Sequence, residues 1–194
     1  MGGTVSIVAA AKTSVNQLFP SALLPKSFEI IMVGLDDAGK TSIVNRLHRR
    51  ELPGGVLPQT IPTIGCTIET IPYGRNSVTI WEFGGLDKIR PLWRRYYWNG
   101  HAFIFALNAA APERFSEARE ELLRMHNEIS HEHPLLVLAN KMDLHEAVDL
   151  LTVSQALDVE RLSKSGRKIA LKGVSAMSNV GLDEAMQWRV FRTH

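Results

Sequence analysis

Two hydrophobic patterns alternate along this chain. Short, largely apolar runs are typical of strands that are buried on both faces of a parallel sheet. They occupy residues 28–33, 101–107 and 135–139. Apolar residues at helical spacing follow the first run, at Ile43, Val44 and Leu47. This alternation predicts an α/β fold, in which a mostly parallel sheet carries helices on both faces.

Turn and capping signals supply the remaining elements. Residues 66–72 and 77–83 are predicted to form a hairpin around the turn at 73–76, which adds one antiparallel edge strand to a six-stranded sheet. Helices are predicted at 112–131 and at 182–191. Another helix is predicted to begin at the capping box formed by Thr152 and Gln155. The last strand is predicted at 168–174, and the proline-rich stretch 51–62 reads as a loop.

Composition narrows the class of protein. A length of 194 residues suits one domain with a full core, and the net charge of +2 is too small to indicate nucleic-acid binding. The single cysteine, Cys66, excludes a disulfide framework and fits a reducing, cytosolic location. Apolar runs stay well short of the roughly 18 residues that a membrane span needs.

Residues 1–27 form a segment of their own ahead of the domain at 28–194. Residues 1–6 match the N-myristoylation pattern M-G-x-x-x-[ST], with Gly2 as the acceptor and Ser6 as the last residue of the pattern. Apolar residues from Val8 to Phe19 then recur at helical spacing, which predicts an amphipathic helix. One acyl chain binds membranes weakly and needs such a second element. The alternative is an ordinary surface helix that packs on the domain.

The stretch from Gly34 to Thr41 matches the phosphate-binding loop G-x-x-x-x-G-K-[ST]. A predicted strand precedes it and a predicted helix follows, which is the context this motif requires. The glycines let backbone N–H groups surround phosphate oxygens, and the helix directs its positive end at the same anion. Lys40 is expected to reach the β- and γ-phosphates, and the Thr41 hydroxyl to bind Mg²⁺.

Further motifs follow the other predicted strands. Glu82 offers a second acid near the metal, and Gly85 offers an N–H to the γ-phosphate. Thr63, in the loop, offers a hydroxyl to Mg²⁺. Asn140-Lys141-Met142-Asp143 places a carboxylate that can accept both N–H donors of guanine, and Ser175-Ala176 can support the base. Ligands of open α/β sheets gather at these strand ends.

Taken together, these motifs resemble those of the ADP-ribosylation factor (Arf and Arf-like) family of small GTPases. The resemblance runs from about residue 28 to residue 191. It is carried by residues 34–41, 62–65, 84–94 and 139–143. The stretch 84–94, Gly-Gly-Leu-Asp-Lys-Ile-Arg-Pro-Leu-Trp-Arg, is specific to Arf rather than Ras proteins, and the lack of a C-terminal prenylation cysteine agrees.

The resemblance implies a P-loop small-GTPase fold and a switch that cycles between GDP and GTP. GTP would draw Thr63 and Gly85 inward, the strand pair between them would change register, and the N-terminal helix would be released to a membrane. It also implies exchange factors, GTPase-activating proteins and trafficking effectors that bind the switch regions. The expected location is the cytoplasm, reversibly on the cytosolic face of an internal membrane.

Four positions depart from the family pattern. Leu86 stands where the family has a water-orienting Gln, and Glu82 replaces an Asp that reaches Mg²⁺ through water. Asp37 replaces a small residue beside Asp36. Cys66 replaces an aromatic residue in an effector-facing trio whose other members, Trp81 and Tyr96, are retained. We interpret Leu86 as natural divergence because its neighbours also diverge, the alternative being an engineered substitution.

The candidate site residues are therefore as follows. The catalytic positions are Lys40 and Leu86. The nucleotide-binding residues are Gly34, Asp37, Ala38, Gly39, Lys40, Thr41, Ser42, Thr63, Gly85, Asn140, Lys141, Asp143, Ser175 and Ala176. The metal ligands are Thr41, Thr63 and, through water, Glu82, and the lipidation site is Gly2. If a side chain replaces the missing Gln, His101 or a residue of the loop before Thr63 is the first candidate.

Three functions follow from these residues. The first is a GTP-dependent switch that associates reversibly with membranes and recruits effectors. The second is a GTP-binding scaffold with little or no hydrolysis, because leucine cannot hydrogen-bond the attacking water. A third, a P-loop kinase or ATPase, is disfavoured by Asn140-Lys141-x-Asp143.

Overall fold

The computed structural model describes residues 27–48, 56–73 and 76–186. In this part of the chain, six strands form one sheet in the order β2-β3-β1-β4-β5-β6. The strands are β1 Ser27–Val33, β2 Cys66–Tyr73, β3 Asn76–Phe83, β4 Ala102–Asn108, β5 Leu135–Asn140 and β6 Ile169–Gly173. Strand β2 runs antiparallel to β3, and every other neighbouring pair is parallel. The predicted α/β fold with one antiparallel edge strand is confirmed.

Helices cover both faces of the sheet. They are α1 Lys40–Leu47, α2 Arg90–Trp93, α3 Phe115–Glu128, α4 Leu150–Ala156, α5 Val159–Ser163 and α6 Leu182–Met186. Two 3₁₀ segments, Arg94–Asn99 and Pro112–Arg114, precede β4 and α3. Among the described residues, no helix has both the length and the apolar character that crossing a bilayer requires.

The two faces of the sheet bury separate hydrophobic clusters. Along β1, Ile30 and Met32 pack with α1 and α6, whereas Ile31 and Val33 pack with α3, α4 and α5. This alternation is the period of two that a strand imposes on its side chains. Each fully buried Ile or Met adds about 1.5–3 kcal/mol of hydrophobic stabilisation. The double burial holds the sheet rigid and therefore positions the loops at its ends.

Two predicted helix boundaries were wrong. Helix α4 is capped by Asp149, whose carboxylate accepts the N–H of Thr152 over 2.7 Å, so the predicted capping box at Thr152 begins three residues late. A carboxylate at the N-cap satisfies an N–H that has no partner within the helix. The predicted helix at 112–131 starts as a 3₁₀ turn and ends at Glu128.

Arg167 explains where α3 stops. Its buried guanidinium donates to the carbonyls of His126, Ile129, Ser130 and His133 over 2.6–3.0 Å. Those carbonyls lie at and beyond the last turn, where a helix leaves acceptors without partners. A residue 38 positions after Ile129 thus ends the helix, and sequence periodicity carries no sign of it.

Some elements were missed and others lie outside the described residues. No prediction covered α2, the 3₁₀ segment after it, or α5. The predicted helix at 182–191 is described only as Leu182–Met186. The predicted N-terminal helix within residues 1–27 lies outside the described residues, apart from Ser27, which begins β1.

Candidate nucleotide-binding site

Four loops that carry predicted site residues leave the carboxyl ends of neighbouring strands. Gly34 follows β1, Gly84 follows β3, Lys141 follows β5 and Val174 follows β6. Because these strands are parallel, the loops meet at one edge of the sheet, where ligands of open α/β sheets bind. A cavity of about 340 Å³ lies at this edge.

The cavity brings most of the predicted residues together. Its wall includes Asp37, Gly39, Lys40, Thr41, Ser42, Thr63, Glu82, Gly85, Leu86 and Lys141. The other predicted residues, Gly34, Ala38, Asn140, Asp143, Ser175 and Ala176, are not part of the wall. The chain segments at 36–42, 60–63, 82–86 and 141 therefore converge, although they are far apart in sequence.

Glycine is required at two positions of the phosphate loop. Gly34 has φ 141° and Gly39 has φ 76°, a region that favours glycine. A Cβ at Gly34 would lie 2.0 Å from the carbonyl oxygen of Ala106, and one at Gly39 would lie 2.3 Å from Nδ2 of Asn140. The loop thus passes close to β4 and to the end of β5, which leaves no room for side chains at these two positions.

Lys40 is buried at the start of α1. Its Nζ donates to the carbonyl oxygens of Gly34 and Leu35, each over 2.8 Å. Desolvation lowers the pKa of Lys40 to about 8, although Glu82 and Asp36 favour the charged form. Among the described residues, the hydrogen-bond acceptors of this ammonium are two backbone oxygens of the phosphate loop. A phosphate anion in the cavity would be a stronger partner than either carbonyl, because both groups would then be charged.

Asn140, the last residue of β5, connects two loops. Its Nδ2 donates to the carbonyl of Ala38 over 2.9 Å, and its Oδ1 accepts the N–H of Ala176 over 3.1 Å. The predicted Asn140 is thus a brace between the phosphate loop and the loop after β6. Asp143 is exposed beyond it, at the end of a turn that begins with Lys141 in the left-handed conformation, at φ 66°.

Three hydroxyl groups converge on the buried carboxylate of Glu82. Thr41 and Thr63 donate to Oε1, the latter over 3.3 Å, and Thr67 donates to Oε2 over 3.2 Å. The hydroxyl oxygens of Thr41 and Thr63 are 3.2 Å apart. Mg²⁺ prefers oxygen ligands, so this donor set fits the predicted cation and would hold it through Thr41, Thr63 and Glu82.

Thr67 was missed by sequence reasoning, and so was the partner of Asp36. Thr67 lies directly opposite Glu82 in the β2–β3 pair, a position that hairpin register could have indicated. Arg114 donates to the carboxylate of Asp36 over 2.9 Å and to its carbonyl over 3.0 Å. This hydrogen bond and the neighbouring charge hold the pKa of Asp36 below its usual value. Arg114 is 78 residues away from Asp36, so no local pattern indicates the pair.

Comparison with known proteins identifies the family. The model of the ADP-ribosylation factor family matches residues 15–192 of this chain. The protein belongs to the Arf family. It is therefore a small GTPase with the guanine-nucleotide switch of that family, and its regulators and effectors bind at the switch regions.

A solved structure agrees with this assignment. The Arl6 (BBS3) small GTPase from Trypanosoma brucei, with the nucleotide analogue GppNp bound, is 28% identical in sequence. The TM-score is 0.73, and the match covers 84% of this chain and 94% of the other. The fold and the family were thus both predicted correctly, whereas the roles of single site residues stay predictions.

The glycine pair that begins the second switch region of this Arf protein packs tightly, Gly85 on the phosphate loop and Gly84 on Thr63. A Cβ at Gly85 would lie 2.1 Å from the backbone nitrogen of Asp36, and one at Gly84 would lie 2.2 Å from the carbonyl oxygen of Thr63. The indole N–H of Trp93 donates to the Gly84 carbonyl over 2.9 Å. Leu86 comes next, lines the cavity and is 38% exposed.

His101 does not lie near Leu86. It precedes β4, at the amino end of the sheet, where its Nδ1 accepts the N–H of Glu29 over 2.9 Å and its ring stacks on Phe28 at 5.3 Å. The cavity lies at the carboxyl end, so about 20 Å of strand separates the two. The expectation that His101 could replace the missing Gln is therefore wrong.

The predicted trio of Cys66, Trp81 and Tyr96 is assembled beside β2 and β3. The rings of Trp81 and Tyr96 lie 5.7 Å apart, and all three side chains pack on the same hydrophobic cluster. Desolvation and the nearby Glu82 raise the pKa of the Cys66 thiol to about 11. The thiol is neutral at physiological pH and acts as a small apolar group in place of an aromatic ring.

Proposed function

We propose that this Arf-family GTPase is a switch that stays bound to GTP for long periods because Leu86 cannot orient the attacking water. The observation that supports the proposal is the position of Leu86 in the wall of the cavity, which Gly85 and Thr63 also line. A hydrocarbon side chain at this point has no donor or acceptor, and so the hydrolytic step lacks one of its components.

The other components of phosphoryl transfer are present in this chain. Lys40 and the N–H groups of the phosphate loop would hold the phosphates, and Lys141 and Asp143 the base. Thr41, Thr63 and Glu82 would hold Mg²⁺, which when bound neutralises charge on the β- and γ-phosphates. The chain is therefore expected to bind GTP, while hydrolysis of the bound GTP is expected to be slow.

The test is single-turnover GTP hydrolysis by the parent protein and by Leu86→Gln. The substitution supplies a group that can hydrogen-bond the water, and we expect the rate to rise by about tenfold or more. Leu151→Gln, the same exchange at an exposed position on α4, is the matched control and should leave the rate unchanged.

Three outcomes separate the hypotheses. A rise in Leu86→Gln alone supports the slow switch. A parent protein with no measurable turnover that still binds GTP would instead be the GTP-binding scaffold. Equal and fast hydrolysis by the parent and Leu86→Gln would mean that another side chain orients the water, and the proposal would be wrong.

We further propose that the switch acts on the cytosolic face of an internal membrane, in trafficking. The Gly2 pattern and the apolar stripe from Val8 to Phe19 support membrane association. Effector recruitment is supported by two large apolar side chains beside Thr63, because Ile61 is 83% exposed and Ile64 is 85% exposed. Exposed apolar groups of this kind are typical of binding surfaces.

A further inference from the structure

Asp37 places a carboxylate in the wall of the nucleotide cavity. The residue has φ 61°, a left-handed conformation that is unusual for a side-chain-bearing residue. Its Oδ1 accepts from Nζ of Lys141 over 2.6 Å, and its Oδ2 accepts from Nδ2 of Asn108 over 2.9 Å. The side chain of Asp37 is nevertheless 65% exposed, so the carboxylate lies at the mouth of the cavity.

The ion pair changes the charge that the cavity offers to an anion. Two lysines line the cavity, Lys40 and Lys141. Lys40 is held by carbonyl oxygens and keeps its charge available, whereas the charge of Lys141 is paired with Asp37. Asp37 thus offsets one of the two lysine charges in a site for a polyanion and lowers the net positive charge of the cavity by one.

We propose that Asp37 shortens the time for which guanine nucleotide stays bound, and so speeds spontaneous exchange. This inference rests on the proposed nucleotide site. The carboxylate of Asp37 lies at the mouth of the cavity that would hold the phosphates, where like charges repel, and the repulsion grows with the number of phosphate charges. The carboxylate of Asp37 therefore weakens the binding of nucleotide phosphates by the phosphate loop.

The same ion pair could instead act as a clasp that slows nucleotide release, and the geometry argues against this. An exposed ion pair adds little stability. The phosphate loop is also held to the end of β5, next to Lys141, by the hydrogen bond from Asn140 to the Ala38 carbonyl, over 2.9 Å. Loss of the ion pair would thus leave the phosphate loop connected to the end of β5. Loss of the Asp37 charge would remove its repulsion of the nucleotide phosphates.

Asp37 and Leu86 then act in the same direction. Leu86 slows the exit from the GTP-bound state by hydrolysis, and Asp37 speeds the replacement of GDP. With GTP in excess, both residues favour the active state without an exchange factor. Two departures from the Arf pattern in one cavity thus support a single regulatory outcome.

The experiment measures release of a fluorescent GDP from the full-length chain with Mg²⁺ present, at low and high salt. The variants are Asp37→Asn, which removes the charge and tolerates the left-handed conformation, and Asp37→Gly, which removes the side chain. Glu132→Gln, which removes a charge at the opposite end of the sheet, is the matched control. We expect both Asp37 variants to release GDP more slowly, on the order of tenfold at low salt, and less so at high salt.

The possible results lead to different conclusions. Slower release in both variants, with the control unchanged, supports the inference. Faster release in Asp37→Gly would show that the ion pair is a clasp, and equal rates in all four proteins would show that Asp37 has no role in release. Failure of the proposed site is seen separately, because the parent protein would then bind no stoichiometric GDP.

Discussion

Asp143 is the residue on which base selection depends. Asp143→Asn should weaken GDP binding by at least about a hundredfold, because two hydrogen bonds from guanine to a charged acceptor are lost. The amide instead matches xanthine, so the variant should prefer xanthosine diphosphate. Competition of GDP, ADP and xanthosine diphosphate against a fluorescent GDP measures both effects.

Asp183→Asn, the same exchange in α6, controls for loss of charge alone. If the parent protein bound ADP as tightly as GDP, the assignment of the base to Asp143 would be wrong. The residue itself was identified from its place after a buried strand. Asp143 is exposed to solvent, and its role in base selection stays a prediction.

At the scale of elements, an ionic network connects the phosphate loop with α2 and α3. Arg114 binds Asp36 and Glu117, and Arg90 binds Glu117 over 2.7 Å and the carbonyl of Gly85 over 2.8 Å. The Glu117 carboxylate thus accepts hydrogen bonds from both arginines. The two guanidinium groups hold the pKa values of Asp36 and Glu117 below their usual values.

A depressed pKa in the folded state predicts a loss of stability in acid. The two ionised carboxylates contribute fully to the free energy of unfolding above their ordinary pKa values, 3.8 for Asp36 and 4.5 for Glu117. This contribution is lost as the pH falls through their lower pKa values in the folded state. Arg114→Gln should lower the free energy of unfolding by about 1 kcal/mol at neutral pH, a magnitude set by partly exposed pairs. The difference from the parent should shrink at about pH 3.5.

Urea unfolding at the two pH values measures the difference. The bond from Arg114 to the Asp36 carbonyl does not titrate, so a small difference should remain in acid. A difference that stays the same at both pH values would show that Arg114 stabilises the fold through packing and not through charge.

At the scale of the whole molecule, the N-terminal segment is predicted to couple nucleotide state to membrane binding. Protein from a eukaryotic host should carry a myristoyl group that is detected by intact mass and lost in Gly2→Ala. Flotation with liposomes should be several-fold greater with a GTP analogue than with GDP, because one acyl chain alone binds weakly. Equal flotation in both states would leave an anchor without a switch.

The sequence by itself determined the class of fold, the family and the identity of most cavity residues. Strands buried on both faces are recognisable because their positions are apolar in an unbroken run, as at residues 135–139 of β5. The phosphate loop is recognisable because its glycines are required by conformation and close approach, as Gly34 and Gly39 are. These signals lie within a few consecutive residues, and local physics is enough to read them.

Only the tertiary structure decided which distant residues meet. Arg114 with Asp36, Asn108 with Asp37 and Arg167 with the end of α3 are pairs separated by 37 or more positions. No periodicity indicates them, because each depends on how α3 and the loops pack on a finished sheet. His101 illustrates the same limit, since only the direction of β4 shows that it lies at the end of the sheet away from the cavity.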